Sequence, residues 1–169
     1  MKYALVFDLG TGSVKAALFD EQASVIKSEV IPYPTEYRDG GFREQKPEEW
    51  FTGICTAVRH LLEGFAYHSD IAAIALSGHS LGVVAVDEEG NLLSEKTPIW
   101  SDSRAEKQAE CFFSSVDYRS WYETPGNGFP PHLYSVFKIM WYREHCPELY
   151  EKTAVFLGSK DYINACLTG

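Results

Sequence analysis

Hydrophobic positions in the first thirty residues come in short runs broken by tight polar turns. Residues 3–8, YALVFD, are apolar and rich in strand formers, and Gly10-Thr11-Gly12 turns the chain. Residues 14–19 resume as a strand, residues 20–23 turn again, and residues 25–31 make a third strand. Three short strands joined by tight turns predict an antiparallel meander. Residues 32–47 are polar, with prolines and Gly40-Gly41, and read as a loop. Over residues 48–65 the apolar period changes to that of a helix, with Trp50, Phe51, Ile54, Ala57, Val58, Leu61 and Leu62 on one face. A buried-type strand over 71–77 and another over 83–86 follow, and the DEEGN stretch at 87–91 reads as a hairpin-like turn. Helices are expected over 103–115 and 133–144, a strand over 154–157 and a short helix over 160–167. The whole predicts an α/β domain: a mixed sheet whose first three strands are antiparallel, flanked by helices. There is no internal repeat and no low-complexity tract.

Composition narrows the class. A chain of 169 residues makes about one domain, and 45% hydrophobic content suffices for a globular core. The net charge of -9 repels phosphate backbones and anionic lipid, which argues against nucleic acid and membrane surfaces as partners. No apolar run approaches the roughly 18 residues of a membrane span, and Met1-Lys2-Tyr3 enters a strand at once without a cleavage pattern. Cys55, Cys111, Cys146 and Cys166 are widely spaced and form no C-x-x-C. A reduced cytoplasmic protein with buried thiols is the expectation.

Three stretches carry candidate chemistry. Gly78-His79-Ser80-Leu81-Gly82 fits G-x-S-x-G, the elbow that presents a nucleophilic serine. An elbow is a strand-to-helix turn, whereas Gly82 precedes VVAVDEEGN, a β-branched run and then a polar turn. A strand is expected there, which makes a hydrolase with Ser80 as nucleophile the weaker reading. A Gly-flanked turn, or a loop displaying polar side chains to a small ligand, fits better.

In FDLGTGSVK, Asp8 ends a strand and Gly10, Thr11, Gly12 and Ser13 follow. Glycines let backbone N–H groups approach an anion, and the hydroxyls of Thr11 and Ser13 can donate to phosphate oxygens. Asp8 is placed for Mg²⁺, which takes one or two carboxylates together with phosphates. Lys15 is counted with this candidate nucleotide site. A P-loop would need G-x-x-x-x-G-K-[ST], a dinucleotide fingerprint a small residue where Lys15 stands, and an aspartic protease a contiguous Asp-Thr-Gly. The alternative is a plain Gly-rich hairpin. In IWSDSRAEKQ, Trp100, Asp102 and Arg104 lie at the start of a helix. They make either a polar triad with an apolar wall for a sugar-sized ligand, or a helix cap with an ion pair.

Taken in order, FDLGTGSVKAALFD, EQKPEEWF, IAAIALSGHSLGVVAVDEEGNLL, IWSDSRAEKQ and the final YSVFKIMWYREHCPELYEKTAVFLGSKDYINACLTG resemble the N-terminal domain of the FGGY carbohydrate kinases, nearest the xylulose-kinase-like branch. The resemblance implies a ribonuclease H-like, actin-like ATPase fold, and phosphoryl transfer from Mg-ATP to a hydroxyl of a sugar or polyol, a pentulose first. It places Asp8 at the Mg²⁺-linked aspartate and Gly10, Thr11, Gly12 and Ser13 on the first phosphate loop. It places His79, Ser80, Leu81, Trp100, Asp102 and Arg104 on the sugar side. Where xylulose kinases typically carry G-Q-[polar or Met]-H-G, this chain has G-H-S-L-G, so that Leu81 stands at the histidine position.

Members of that family are about three times longer. Residues 1–169 are therefore expected to be the N-terminal actin-like domain of a two-domain kinase, with the general base and most of the adenosine site in a C-terminal domain. The isolated chain is expected to be inactive; activity would require a base such as Asp102 or Asp161. A homodimer is an option for the full-length protein. The competing class is a non-catalytic actin-like module that binds sugar or a partner.

Overall fold

The computed structural model of the chain describes residues 1–124, 126 and 128–169. The strands are β1 (Tyr3–Leu9), β2 (Ser13–Asp20), β3 (Val25–Pro32), β4 (Glu36–Arg38), β5 (Phe42–Gln45), β6 (Ile71–Gly78), β7 (Val84–Val86), β8 (Thr97–Pro98) and β9 (Val155–Leu157). The α-helices are α1 (Pro47–Leu62), α2 (Glu106–Phe113), α3 (Tyr118–Glu123), α4 (Ser135–His145), α5 (Pro147–Lys152) and α6 (Ser159–Thr168). They gather into two compact units. One comprises Met1–Thr35, Lys46–His79 and Ser159–Gly169; the other comprises Glu36–Gln45 and Ser80–Gly158.

The first unit is a four-stranded sheet in the order β3-β2-β1-β6. The meander is antiparallel, as its alternation predicts: Leu9 faces Val14 across β1–β2, and Val14 faces Ile31 across β2–β3. β6 then joins β1 in parallel, with Leu9 opposite Gly78. Tyr3, Leu5, Phe7 and Leu9 point into the core. Over that face lies α1, which starts with Pro47 in its first turn and Glu48 and Glu49 beside its positive end. Trp50, Ile54, Ala57 and Leu61 are its buried stripe. Gly53 lets it approach the sheet, since a Cβ there would stand 3.2 Å from Val14 Cγ1. Lys27 Nζ donates to the carbonyls of His60 and Glu63 at the far end of α1. α6 packs against α1 and β6.

β6 corrects one expectation. Its apolar run predicts a buried strand, yet Ala72, Ala73, Ile74 and Ala75 are exposed. Among the described residues the strand has β1 as its one neighbour, and α1 packs on β2 and β3. Residues 32–47 correct another. They hold the β4–β5 hairpin, turned through Gly40 and Gly41 at φ +80° and +83°. The thiols are a third: Cys111 and Cys166 are exposed, Cys55 and Cys146 are half-buried, and all four are free.

The second unit holds the antiparallel sheet β4-β5-β8 and the antiparallel pair β7–β9. Ala105 and Ala109 of the α2 region, with Tyr134 and Phe137 beside and on α4, form a buried cluster. Leu81, Phe112, Phe113, Trp121, Met140 and Trp141 pack against it. Among the described residues no helix is long and apolar enough to cross a membrane.

Candidate functional site

The Gly10–Ser13 turn closes the β1–β2 hairpin of the first unit. Gly10 N donates to Asp8 O at 3.1 Å and to Ser13 O at 2.9 Å. The chain that leaves β3 ties the turn down. Tyr33 Oη donates to Gly10 O at 2.6 Å, Tyr33 N to Gly12 O at 3.1 Å, and Thr35 Oγ1 to Thr11 O at 3.3 Å. Three successive carbonyls, those of Gly10, Thr11 and Gly12, are thereby engaged by Tyr33 and Thr35. A Cβ on Gly12 would meet open space. Tyr33 and Thr35 were missed in the sequence, where they sit in a polar run with no periodicity. Burial, with the Asp8 charge added, pushes the Tyr33 phenol well up from its ordinary value.

Asp8 lies at the foot of the turn, with Lys15 opposite it in the β1–β2 register. Lys15 Nζ stands 3.9 Å from Asp8 Oδ2, and the Asp8 side chain is 49% exposed. Among the described residues no three His, Cys, Asp or Glu side chains form a cation cluster. A single accessible carboxylate beside a glycine-rich turn suits Mg²⁺ that arrives with phosphate oxygens as its other ligands.

His79 follows β6 in the same unit. Its N–H donates to Leu9 O at 2.9 Å, its carbonyl accepts from Ser159 Oγ at 2.7 Å, and its ring stands edge-on to Trp50 at 5.4 Å. Ser80, Leu81, Trp100, Asp102 and Arg104 belong to the second unit. Ser80 is exposed. Leu81 has φ +62°, a left-handed backbone that is uncommon for a non-glycine residue. After Gly82 the chain runs into buried β7, not into a helix, so the feature that would make Ser80 an elbow nucleophile is absent.

Asp102 and Arg104 form the centre of a buried ion network. Asp102 Oδ2 accepts from Arg43 N at 2.7 Å and Arg104 Nη2 at 2.8 Å, and its Oδ1 accepts from Arg104 N and Nε at 3.1 and 2.9 Å. Arg104 Nη2 also reaches Glu44 Oε1 at 2.7 Å, and Arg38 binds the other Glu44 oxygen. The guanidinium lies 4.1 Å over the Phe42 ring and 4.9 Å over that of Trp141. Burial alone would lower the Arg104 pKa; its bonds to Asp102 and Glu44 outweigh that and raise it. The network pins the turn that carries Trp100 to β5. The pinning is close at Gly41, where a Cβ would fall 2.3 Å from Ser103 Oγ and the backbone φ is +83°. Asp102, 0% exposed with both oxygens engaged, thus acts on the turn's geometry.

One further residue went unnoticed in the sequence. Lys138 of α4 is 0% exposed, and its Nζ donates to Leu133 O at 2.7 Å, Leu81 O at 3.0 Å and Trp100 O at 3.3 Å. A lysine in line with buried Tyr134 and Tyr142, at spacing i, i+4, i+8, is the signal that could have found it.

Residues 3–169 match the sequence model of the FGGY family of carbohydrate kinases, N-terminal domain. The chain is 31% identical over 170 residues to a xylulose kinase of Bacillus subtilis (strain 168), covering 100% of this chain and 34% of that protein. It is 31% identical over 163 residues to a gluconokinase of the same organism, covering 95% of this chain and 31% of that one. Among solved structures, a xyloylose kinase from Brucella ovis superposes with a TM-score of 0.86 at 26% identity, covering 96% of this chain and 33% of the other. The gluconate kinase from Lactobacillus acidophilus gives a TM-score of 0.86 at 22% identity, over 96% and 32% of the two chains, which speaks to fold alone. The chain spans about a third of the length of the curated relatives it matches.

Proposed function

From the premise that this chain belongs to the FGGY family of carbohydrate kinases and has their actin-like ATPase fold, we propose that it is the N-terminal domain of a two-domain kinase that transfers a phosphoryl group from ATP to a hydroxyl of a sugar or polyol. A ketose of the pentulose class is the acceptor this reading puts first, in keeping with the xylulose kinases among its relatives.

The observation that carries it is the Gly10–Ser13 turn, with its carbonyls tied back by Tyr33 and Thr35 and Asp8 exposed at its foot. In this reading the turn, with Lys15 nearby, receives the phosphates of ATP. Asp8 orients Mg²⁺, which when bound offsets the charge that develops on the transferred group. His79, Ser80, Leu81 and Trp100 serve the sugar side, while Asp102 and Arg104 hold the Trp100 turn. Phosphoryl transfer depends on placing acceptor and donor in line, so fixed turns matter more here than reactive side chains. The base that takes the acceptor's proton is assigned to the C-terminal domain: Asp102 has both oxygens filled by protein donors, and Asp161 is paired with its neighbour Lys160.

The test is ADP release by the full-length protein against a panel of pentuloses, hexuloses, polyols and gluconate. A sugar-dependent rate is expected, and Asp8→Ala should lower kcat by about a thousandfold or more with the fold intact by circular dichroism. The 169-residue chain alone should release no sugar-dependent ADP. A full-length protein that binds sugar without turnover would replace this reading with the non-catalytic module, and an Asp8→Ala rate within a few-fold of the parent would make the turn a plain hairpin.

A further inference from the structure

Lys138 raises a question of cost. A buried ammonium is expensive unless it is paired, yet among the described residues Lys138 makes no ion pair. Its charge is met by three carbonyl dipoles, one for each N–H of the group. A methionine would fill the same space without that cost. The three carbonyls come from separate stretches of chain: the Leu81 loop, the Trp100 turn and the 3-10 turn at Pro131–Leu133 that precedes α4. Two of the three carry residues of the candidate sugar side.

The Leu81 loop is gripped at two further points. Ser135 Oγ, one turn earlier on α4, donates to Gly82 O at 3.3 Å. The Leu81 side chain packs on the cluster of Ala105, Ala109, Tyr134 and Phe137. A left-handed backbone is costly for a leucine, and the groups that hold it here come mainly from α4 and the turn before it.

We infer that Lys138 is a positioning residue of the sugar site, whose ammonium fixes the Leu81 loop and the Trp100 turn in one geometry with Ser135 as its assistant. The inference rests on the kinase reading and adds to it a residue that touches no substrate. Burial draws the Lys138 pKa down to about 8, with Asp102 pulling it up and Arg104 pushing it further down, so the ammonium with all three donors still predominates at neutral pH.

The experiment compares the full-length parent with Lys138→Met and Ser135→Ala by steady-state kinetics, together with hydrogen exchange at residues 81–83 and 100–102. Lys138→Met should raise the sugar KM about tenfold or more, the worth of a hydrogen bond to a charged group, with the ATP KM within about twofold of the parent. Exchange should accelerate at both segments and stay unchanged in β1 to β3. Ser135→Ala disturbs no buried charge and carries the same test if Lys138→Met fails to fold; it should raise the sugar KM by about threefold and accelerate exchange at 81–83 alone. A sugar KM unchanged in both variants, or a loss confined to kcat through a smaller active fraction, overturns the positioning role while leaving the kinase reading intact. A parent with no sugar-dependent turnover overturns the kinase reading, and the role of Lys138 falls with it.

Discussion

Glu44 has Arg104 on one carboxylate oxygen and Arg38 on the other, and its titration follows from that geometry. Burial pushes its pKa up, but the bonds to Arg104 and Arg38 outweigh burial and hold it below the ordinary 4.5. A carboxyl that is more acidic folded than unfolded binds fewer protons in the native state. The stability it lends is complete above about pH 4.5 and is lost as the pH falls through the lower, folded value. Glu44→Gln should therefore be less stable than the parent at pH 7, and the two thermal midpoints should converge in acid. Parallel curves from pH 7 to pH 3 would mean that the network does not depend on the Glu44 charge. At this scale the sequence was legible where geometry is local: the glycine turn that follows β1, and Arg104 with a carboxylate for a partner. The Arg104–Asp102 pair is two residues apart, whereas Glu44 and Arg43 N reach it from some sixty residues away and leave no mark in the local pattern.

Among the elements, the β1–β2 hairpin depends on the stretch after β3 for its shape. Tyr33 is buried, and its hydroxyl is bonded to Gly10 O at 2.6 Å. Tyr33→Phe keeps the ring and removes that bond, at an expected cost of about 1 kcal/mol. Because the turn is assigned to phosphate, the ATP KM should rise several-fold while the sugar KM stays within about twofold, the reverse of Lys138→Met. Equal changes in both constants would point to general loosening. β1, β2, β3 and α1 were legible because their apolar period is set by one face packing on one neighbour. The β4–β5 hairpin was not, since its paired glycines and the prolines that flank it are the usual signs of a loop and its strands are only 3 and 4 residues long. α3 and α5, each of 6 residues, are too short to display a period. β6 was legible as a strand, but its exposure depends on what lies beside it.

At the scale of the molecule, that exposure makes β6 an open sheet edge. It pairs with β1 on one side, and Ile74 is 53% exposed. Ala73 and Ala75 lie opposite Ala4 and Val6 on the same apolar sheet. Unpaired apolar edges template further strands. The 169-residue chain by itself should form concentration-dependent oligomers in sedimentation velocity, and Ile74→Lys should shift them towards monomer. Oligomers unaffected by Ile74→Lys would place the sticky surface elsewhere. The fold class was legible at this scale from the order of the motifs. The division into two units was not, because each is assembled from separated stretches.

That interleaving bears on the order in which the molecule can be made. The first unit is interrupted at Glu36 and again at Ser80, and its last portion begins at Ser159. As the chain leaves the ribosome, β1, β2 and β3 can pair at once, whereas the parallel partner of β1 emerges some forty residues later, after the β4–β5 hairpin and α1. The bond from Ser159 Oγ to His79 O must wait for another eighty residues. The His79 carbonyl therefore gains its side-chain donor only after Ser159 has emerged. The turn proposed to receive phosphate can thus form while the His79 end of β6 is still unlatched.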